Sequence, residues 1–326
     1  MTIRSLLVPT CLFSLVGFGC ANGSPQEREF GSGTAGTSDI NVTGSGSAGD
    51  DTMTTGGTAG TLGNVMPGGS GDGSSDCGST LAVTFRDFTE KHPDFEMKSS
   101  IDPNFKGDVV RRQMIEAALG SDHKPVYKDG IGCPMANAAP VGCIDDNHDG
   151  MPDWLPKIPE IQSADTFKSW YNTTAGTNIE IPKSIPLTET PPGSGTFIYD
   201  TTAFFPLSPS EGFGPSPMNS GNPGGKNFLF TTEIHLRFGY VAGQKFTFRG
   251  DDDLWIFVNG KLALDLGGLH NATEGTIDFD AQAAALGISP GTTYPMDIFH
   301  AERHTDQSNF RVSTNISCFE PVDIAR

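Results

Sequence analysis

The sequence is short of positive charge. It carries 21 Lys and Arg against 39 Asp and Glu in 326 residues, a net charge of −18. Nucleic-acid binding depends on Lys and Arg neutralising phosphates, so this balance argues against a uniform phosphate-binding surface, and no nucleic-acid partner is expected. Apolar residues are also scarce. Hydrophobic residues make up 36%, while glycine supplies 41 positions and proline 23, so part of the chain is not expected to pack. No Cys-x-x-Cys pair occurs, which leaves zinc and thioredoxin-like readings without support. There is no Gly-x-Ser-x-Gly elbow. His300-Ala301-Glu302-Arg303-His304 is not the His-Glu-x-x-His zinc motif, and it lies in β-rich sequence. Glu302 and Arg303 read instead as a buried ion pair. With no catalytic signature the chain is read as a non-enzyme, and after the leader no segment looks transmembrane.

The leader sets the compartment. Met1-Thr2-Ile3-Arg4 is a short positive region and Ser5–Phe18 an apolar one too short to span a bilayer comfortably. Gly19-Cys20 resembles a bacterial lipobox, with Gly17 where Leu is usual. Residues 1–20 are read as a lipoprotein-type signal peptide with Cys20 lipidated, and plain secretion is the alternative. Membrane contact is then through an N-terminal lipid only, at a bacterial outer membrane or cell surface. Cys11 is removed in either case, which leaves Cys77, Cys133, Cys143 and Cys318. Four cysteines in an exported chain imply two disulfides with three possible connectivities. Cys133–Cys143 closes a short loop, and Cys77–Cys318 would staple the edges of the folded region.

Residues 21–76 are rich in Gly, Ser and Thr with few large apolar side chains. Such a segment cannot bury enough surface to offset chain entropy, so it reads as a disordered tether. The folded domain is placed at 77–320, with an insertion at 131–156 and a tail at 321–326. Asn227–Phe238 alternates apolar and polar residues as a half-buried antiparallel strand. Strands are also read at Leu81–Phe85, Lys245–Arg249, Leu254–Val258, Leu262–Leu266, Ile277–Phe279, Tyr294–Ala301 and Phe310–Cys318. Asn259-Gly260 is a two-residue hairpin signal. Val109–Leu119 reads as the best helix, with Val110, Met114 and Leu119 on one side and Gly120 as its stop, and a short helical turn is expected at 281–286. The fold class is all-β, an antiparallel β-sandwich with short helices and a calcium-loop insertion, preceded by the tether.

Two acidic stretches carry the metal chemistry. In the insertion, Asp145, Asn147, Asp149 and Asp153 offer oxygens at alternate positions, with Gly150 after the third. This spacing wraps a turn around one Ca²⁺, and it resembles the loops of thrombospondin type 3 calcium repeats. No Glu stands at the twelfth position, so it is not a full EF-hand. The second stretch is Asp251-Asp252-Asp253, a corner between two very apolar runs. Carboxylates losing hydration at the end of a buried strand need a counter-charge, and a hard cation is the natural one. Trp255 and Phe257 beside it read as core.

Longer motifs resemble the fibro-slime domain of bacterial exported proteins, related to the protective-antigen-type lectin-like β-sandwich. They are Arg86-Asp87-Phe88 with His92-Pro93-Asp94-Phe95-Glu96, Asp122 to Tyr127, Trp170-Tyr171, Phe248 to Lys261, Asp265 to His270, and Phe299 to His304 with Ser308 to Arg311. The resemblance implies that Asp251 and Asp252 hold Ca²⁺ through a cis peptide and that the ion holds sugar hydroxyls. Asp265, His270, Asn271 and Asn309 are the candidates to complete that shell. The implied function is a cell-surface, calcium-dependent carbohydrate-binding or adhesive module, with extracellular matrix polysaccharide as partner. The alternatives are a structural matrix component stabilised by Ca²⁺ and, further off, a polysaccharide hydrolase.

Overall fold

A computed structural model of the chain describes residues 78–96, 110–136, 139–140, 159–218, 221–305 and 307–322. Cys20, the tether and the calcium-type loop with Asp145, Asn147, Asp149 and Asp153 lie outside these residues. In chain order the elements are β1 (Thr80–Asp87), β2 (Arg111–Arg112), β3 (Cys133–Ala136), β4 (Ala139–Pro140), α1 (Ala164–Tyr171), β5 (Ile179–Pro186), β6 (Thr188–Glu189), β7 (Phe197–Thr201), β8 (Phe230–Gly239), β9 (Lys245–Gly250), β10 (Asp253–Val258), β11 (Lys261–Leu266), β12 (Thr273–Asp278), α2 (Phe279–Leu286), β13 (Thr293–Glu302), β14 (Phe310–Thr314) and β15 (Glu320–Pro321).

The strands pair antiparallel into two main sheets, as the alternating sequence requires. One runs β11-β10-β13-β8-β1-β5, with β15 added to β8, and the other runs β12-β9-β14-β7-β6; a small third sheet is β2-β3-β4. The β10–β11 connection is the Asn259-Gly260 turn, with φ of 54° and 72°, the left-handed pair that a two-residue hairpin demands. The core lies between the main sheets. Phe246, Phe248, Phe310 and Val312 meet Phe230, Ile234, Leu254 and Ile298 there. Inward-facing side chains of both sheets thus bury each other, which gives the sandwich expected from the sequence.

The larger sheet is also covered on its outer face, so β8 is more than half buried. Thr231 and Glu233, on its polar side, are shielded. The cover is α1, which starts with a capping box between Ser163 and Thr166. It packs Phe167, Trp170 and Tyr171 against Trp255, Phe257 and Phe299. Trp255 and Phe257 are therefore core, as the sequence indicates. The polar residues beneath this cover are paired, because an unpaired buried charge is costly. Glu233 takes Arg86, Lys124 and His235, and His235 Nδ1 lies 2.6 Å from Asp297 Oδ1.

The helix expected over Val109–Leu119 does not form. Its described part, 110–119, is extended: Arg111–Arg112 pairs with β3, and Ala118 bridges Lys261. Arg111 N donates to Gly267 O at 2.6 Å, and Leu262 N donates to Ala117 O at 2.9 Å. Arg111 is itself buried, with Nε 2.6 Å from Glu160 Oε1. These partners outweigh the modest helix propensity of the segment. Val110 and Met114 are buried as expected, but from an extended chain.

Candidate functional site

The acidic corner sits where the chain leaves one sheet for the other. β9 belongs to the smaller sheet and β10 to the larger, so residues 251 and 252 cross the edge of the sandwich. The crossing is made by a left-handed residue, Asp252 at φ 58°. The cis bond implied between Asp251 and Asp252 is absent; the cis bond among the described residues is Thr190-Pro191. A left-handed residue bends the strand end without a cis amide, and Asp tolerates that region better than most residues. Gly250 allows the approach, because a Cβ there would meet Asn309 O at 2.8 Å.

The bend sends the three carboxyls in different directions. Asp251 turns toward Asn309, accepting from its backbone N at 2.6 Å and its Nδ2 at 2.7 Å. Asp252 Oδ2 accepts from Arg303 N at 2.7 Å. Asp253 accepts from Gly268 N at 2.7 Å and pairs with Arg303 Nε at 2.5 Å. All three are nearly solvent-free, at 4%, 5% and 0% exposure. Burial pushes the Asp251 carboxyl up, against the bonds from Asn309. Burial pushes Asp252 far higher, the Arg303 charge opposing and its two aspartate neighbours adding.

Arg303 is the hub of this region. It lies fully buried over the Trp170 ring at 4.8 Å. Nη1 donates to Asp94 O at 2.9 Å and Glu160 O at 3.1 Å, and Nη2 stands 3.5 Å from Glu160 Oε2. The ion pair expected between Arg303 and Glu302 is therefore not made. Successive side chains on extended chain leave opposite faces, and Arg303 goes to Asp253 and Glu160 instead. Glu302, 1% exposed, has the Ser308 and Asp252 side chains beside its carboxyl, neither in good hydrogen-bond geometry. Burial, then Asp252 and Asp251, push its carboxyl well above the usual range.

The remaining sequence candidates divide. Asn309 joins the corner directly. Asn271 joins through Gln307, whose Nε2 donates to Asn271 Oδ1 at 3.3 Å while its Oε1 accepts from Asn309 Nδ2 at 3.3 Å. This row of amides runs from exposed Asn271 and Gln307 down to the Asp251 carboxyl. His270 is adjacent, but its ring nitrogens face Asn271 O at 2.9 Å and Leu266 O at 3.1 Å, so it offers no convenient lone pair to an ion. Asp265 is not brought to the corner. It accepts from Trp255 Nε1 at 3.0 Å, Gln113 N at 2.9 Å and Gly267 N at 3.2 Å, and burial holds its carboxyl at about 6. Asp265→Asn is expected to destabilise the domain by about 1–3 kcal/mol in chemical denaturation, because a carboxamide cannot accept from three N–H groups facing both of its ends.

Among the described residues no three His, Cys, Asp or Glu side chains are arranged as a ready-made ion shell. Glu302, Arg303, Glu160 and Gln307 are the members of the site that the sequence reading assigned no role in it. The first two stood in a noticed motif, whereas Glu160 and Gln307 carried no signal. Cys133 and Cys318 are both disulfide-bonded. Their expected partners Cys143 and Cys77 fall outside the described residues, so the pairing stays an expectation. No described helix is long and apolar enough to cross a membrane.

No family model matches the chain. Among solved structures the chain resembles the PA14 domain of the MpAFP antifreeze protein at 15% identity and TM-score 0.21, over 27% of this chain and 45% of that one. It also resembles a PA14 sugar-binding domain from an RTX adhesin at 15% identity and TM-score 0.22, over 30% and 57%. Likeness of that size leaves the fold to be read from the strands themselves. Sequence relatives are found in Dictyostelium discoideum. Protein psiD is 32% identical over 239 residues, covering 73% of this chain and 41% of the relative. Protein psiR is 30% identical over 245 residues, covering 72% and 21%. Protein psiC is 32% identical over 249 residues, covering 74% and 42%. These relatives are eukaryotic and lend nothing to a bacterial lipoprotein. The chain is thus similar to the psi proteins over most of its own length and spans less than half of each of these three.

Proposed function

We propose that the chain is a non-catalytic carbohydrate-binding or adhesive module of a cell surface, in which Ca²⁺ enters the corner at Asp251, Asp252 and Glu302. One observation supports this above the others: the Glu302 carboxyl is buried with no cation and no well-formed hydrogen bond, beside two aspartates whose carboxyls burial already disfavours as anions. Oxygen-only donors in this number suit a hard divalent cation. The ion would draw Asp251 and Asp252 partly away from Asn309 and from the Arg303 amide. Its role would be to fix the loops that carry the amide row, leaving Asn271 and Gln307 to meet sugar hydroxyls of a matrix polysaccharide. The loop with Asp145, Asn147, Asp149 and Asp153 would hold a second, structural Ca²⁺.

The near-complete burial of Asp251 and Asp252 favours a second reading, in which the chain is a structural matrix component and the ion only stabilises it. A glycan array separates the two. Hits that need Ca²⁺, vanish in EDTA and are lost in an Asn271→Ala/Gln307→Ala double variant of unchanged melting temperature are the expected result. Silence on the array, together with EDTA-induced melting, selects the structural reading.

A further inference from the structure

A second recessed site lies away from the corner and shares no residue with it. It is a cleft of about 200 Å³ between the Asp122–Tyr127 segment and α1, open to solvent. One wall is the Asp122–Tyr127 stretch, which stands out in the sequence and has no part in the corner; the other is α1, whose Phe167 and Lys168 line the cleft while its Trp170 lies under Arg303. We infer that this cleft binds one sugar ring that bears a carboxylate, a ligand of the uronic-acid class.

Two properties of the wall select that chemistry, and hydrogen bonding is compatible with it. The first is charge. Lys124 and Lys168 both line the cleft, a local reversal in a chain of net charge −18, with Asp122 the one acidic residue of the lining. Lys124 is held in place by its pairing with Glu233, and Lys168 is exposed on the last turn of α1. Lys168 is therefore the ammonium that can take a ligand carboxylate in a charge-assisted hydrogen bond. The second is surface. Tyr127 is half-buried in the lining, with Phe167 behind it at a ring separation of 6.4 Å. Aromatic side chains present an apolar body with a polar tip, which suits the C–H face of a pyranose better than a fully polar ligand. Placed polar groups are few: Asn172 and Asp122 are the remaining polar side chains of the lining, while the Tyr171 hydroxyl is buried toward Asp253, Arg303 and Arg86 and is not offered to the cleft. Clefts of this kind, mostly apolar with a few placed polar groups, are the common form of small-ligand sites.

The test uses the full chain in EDTA, so that no divalent ion at the corner contributes. Galacturonate and glucuronate are titrated in low-salt buffer by ligand-observed NMR, with galactose and glucose as neutral counterparts. The acidic sugars are expected to bind at least about tenfold tighter than the neutral ones, a difference of about 1.4 kcal/mol. Lys168→Ala is expected to remove that preference and Lys168→Arg to keep it. Tyr127→Ala should weaken all four ligands together. Lys168 and Tyr127 sit outside the buried ion network, and unchanged melting temperatures would show that the variants fold. Equal affinity for acidic and neutral sugars, no binding by the acidic pair, or an acid preference that survives Lys168→Ala each overturns the inference. A negative result here leaves the corner untouched, since the array experiment depends on Ca²⁺ and on Asn271 and Gln307.

Discussion

Arg303→Met is expected to destabilise the folded domain by about 3–5 kcal/mol, the usual cost of removing one partner from a buried ion pair. For a domain of this size that is a fall in melting temperature of about 6–20 °C. Burial works against the guanidinium charge, yet Asp253, Glu160 and Asp252 more than offset it and hold the group above its ordinary value. Methionine would fill much of the volume over Trp170 while supplying none of the donors. It would leave the Asp94 and Glu160 carbonyls without Nη1, and the Asp253 carboxylate with Gly268 N alone. Glu160 would keep Arg111 and the Leu269 N–H, so the loss should concentrate on Asp253. A double-mutant cycle with Asp253→Asn checks this. The two changes should be less than additive, because once the charge is gone from Asp253 the missing guanidinium is no longer answered by a buried anion. Additivity would mean that Arg303 acts through packing on Trp170 rather than through the pair. Arg303→Lys should recover only part of the loss, since an ammonium cannot span Asp253, Glu160 and two carbonyls in one plane.

The sandwich was legible because its signal is local. Alternation through 227–238 and 245–266, joined by Asn259-Gly260, fixes which side chains face the core, and β8 to β11 follow it. The helix at 109–119 was misread because the same apolar positions suit a stripe on a helix or isolated anchors on extended chain. The choice was made by the bonds from Arg111 N to Gly267 O and from Leu119 N to Gly260 O, partners that meet only in the folded molecule. α1 was overlooked although Phe167, Trp170 and Tyr171 stand at i, i+3 and i+4: eight residues give only about two turns of that spacing, and its cap uses Thr166 in place of Glu or Gln. At the corner the need for a counter-charge could be read from three adjacent aspartates. Its source could not, because Arg303 lies 50 residues from Asp253 in sequence and Glu160 reaches Leu269 N from 109 residues away. The Glu302–Arg303 pair failed on geometry visible in the sequence: neighbours on a strand point apart.

Above about pH 6 the Ca²⁺-free domain is expected to keep losing stability as pH rises, and millimolar Ca²⁺ to restore it. Unfolded carboxyls ionise near 3.9–4.3. Asp251, Asp252 and Glu302 are all raised in the folded state by burial, so their contribution is full below about pH 4. It is lost as pH climbs through the folded values, because the unfolded chain gives up its protons first. Asp87 and Asp265, which burial raises to about 6, add a slope of the same sign that is spent near that pH. What continues above it belongs to Asp252 and Glu302, which burial raises well above the ordinary range. His300 acts the other way: burial lowers it to about 3, so its contribution is whole above about 6.5 and declines as the unfolded imidazole takes protons below that pH. A cation at the corner competes with the protons, so its stabilisation should grow with pH, reaching about 2.7 kcal/mol at a hundredfold excess over Kd. Melting curves from pH 4 to 9, with EDTA and with Ca²⁺, read this directly. Glu302→Gln should flatten the slope above pH 6 and remove the part of the Ca²⁺ response that grows with pH, leaving only what the loop at 145–153 supplies, whereas Asp265→Asn should alter only the part below it. Identical curves with and without Ca²⁺ at pH 8, or a Ca²⁺ response no smaller in Glu302→Gln than in the unaltered chain, would sink the cation from the corner while leaving the fold and the cleft beside α1 standing.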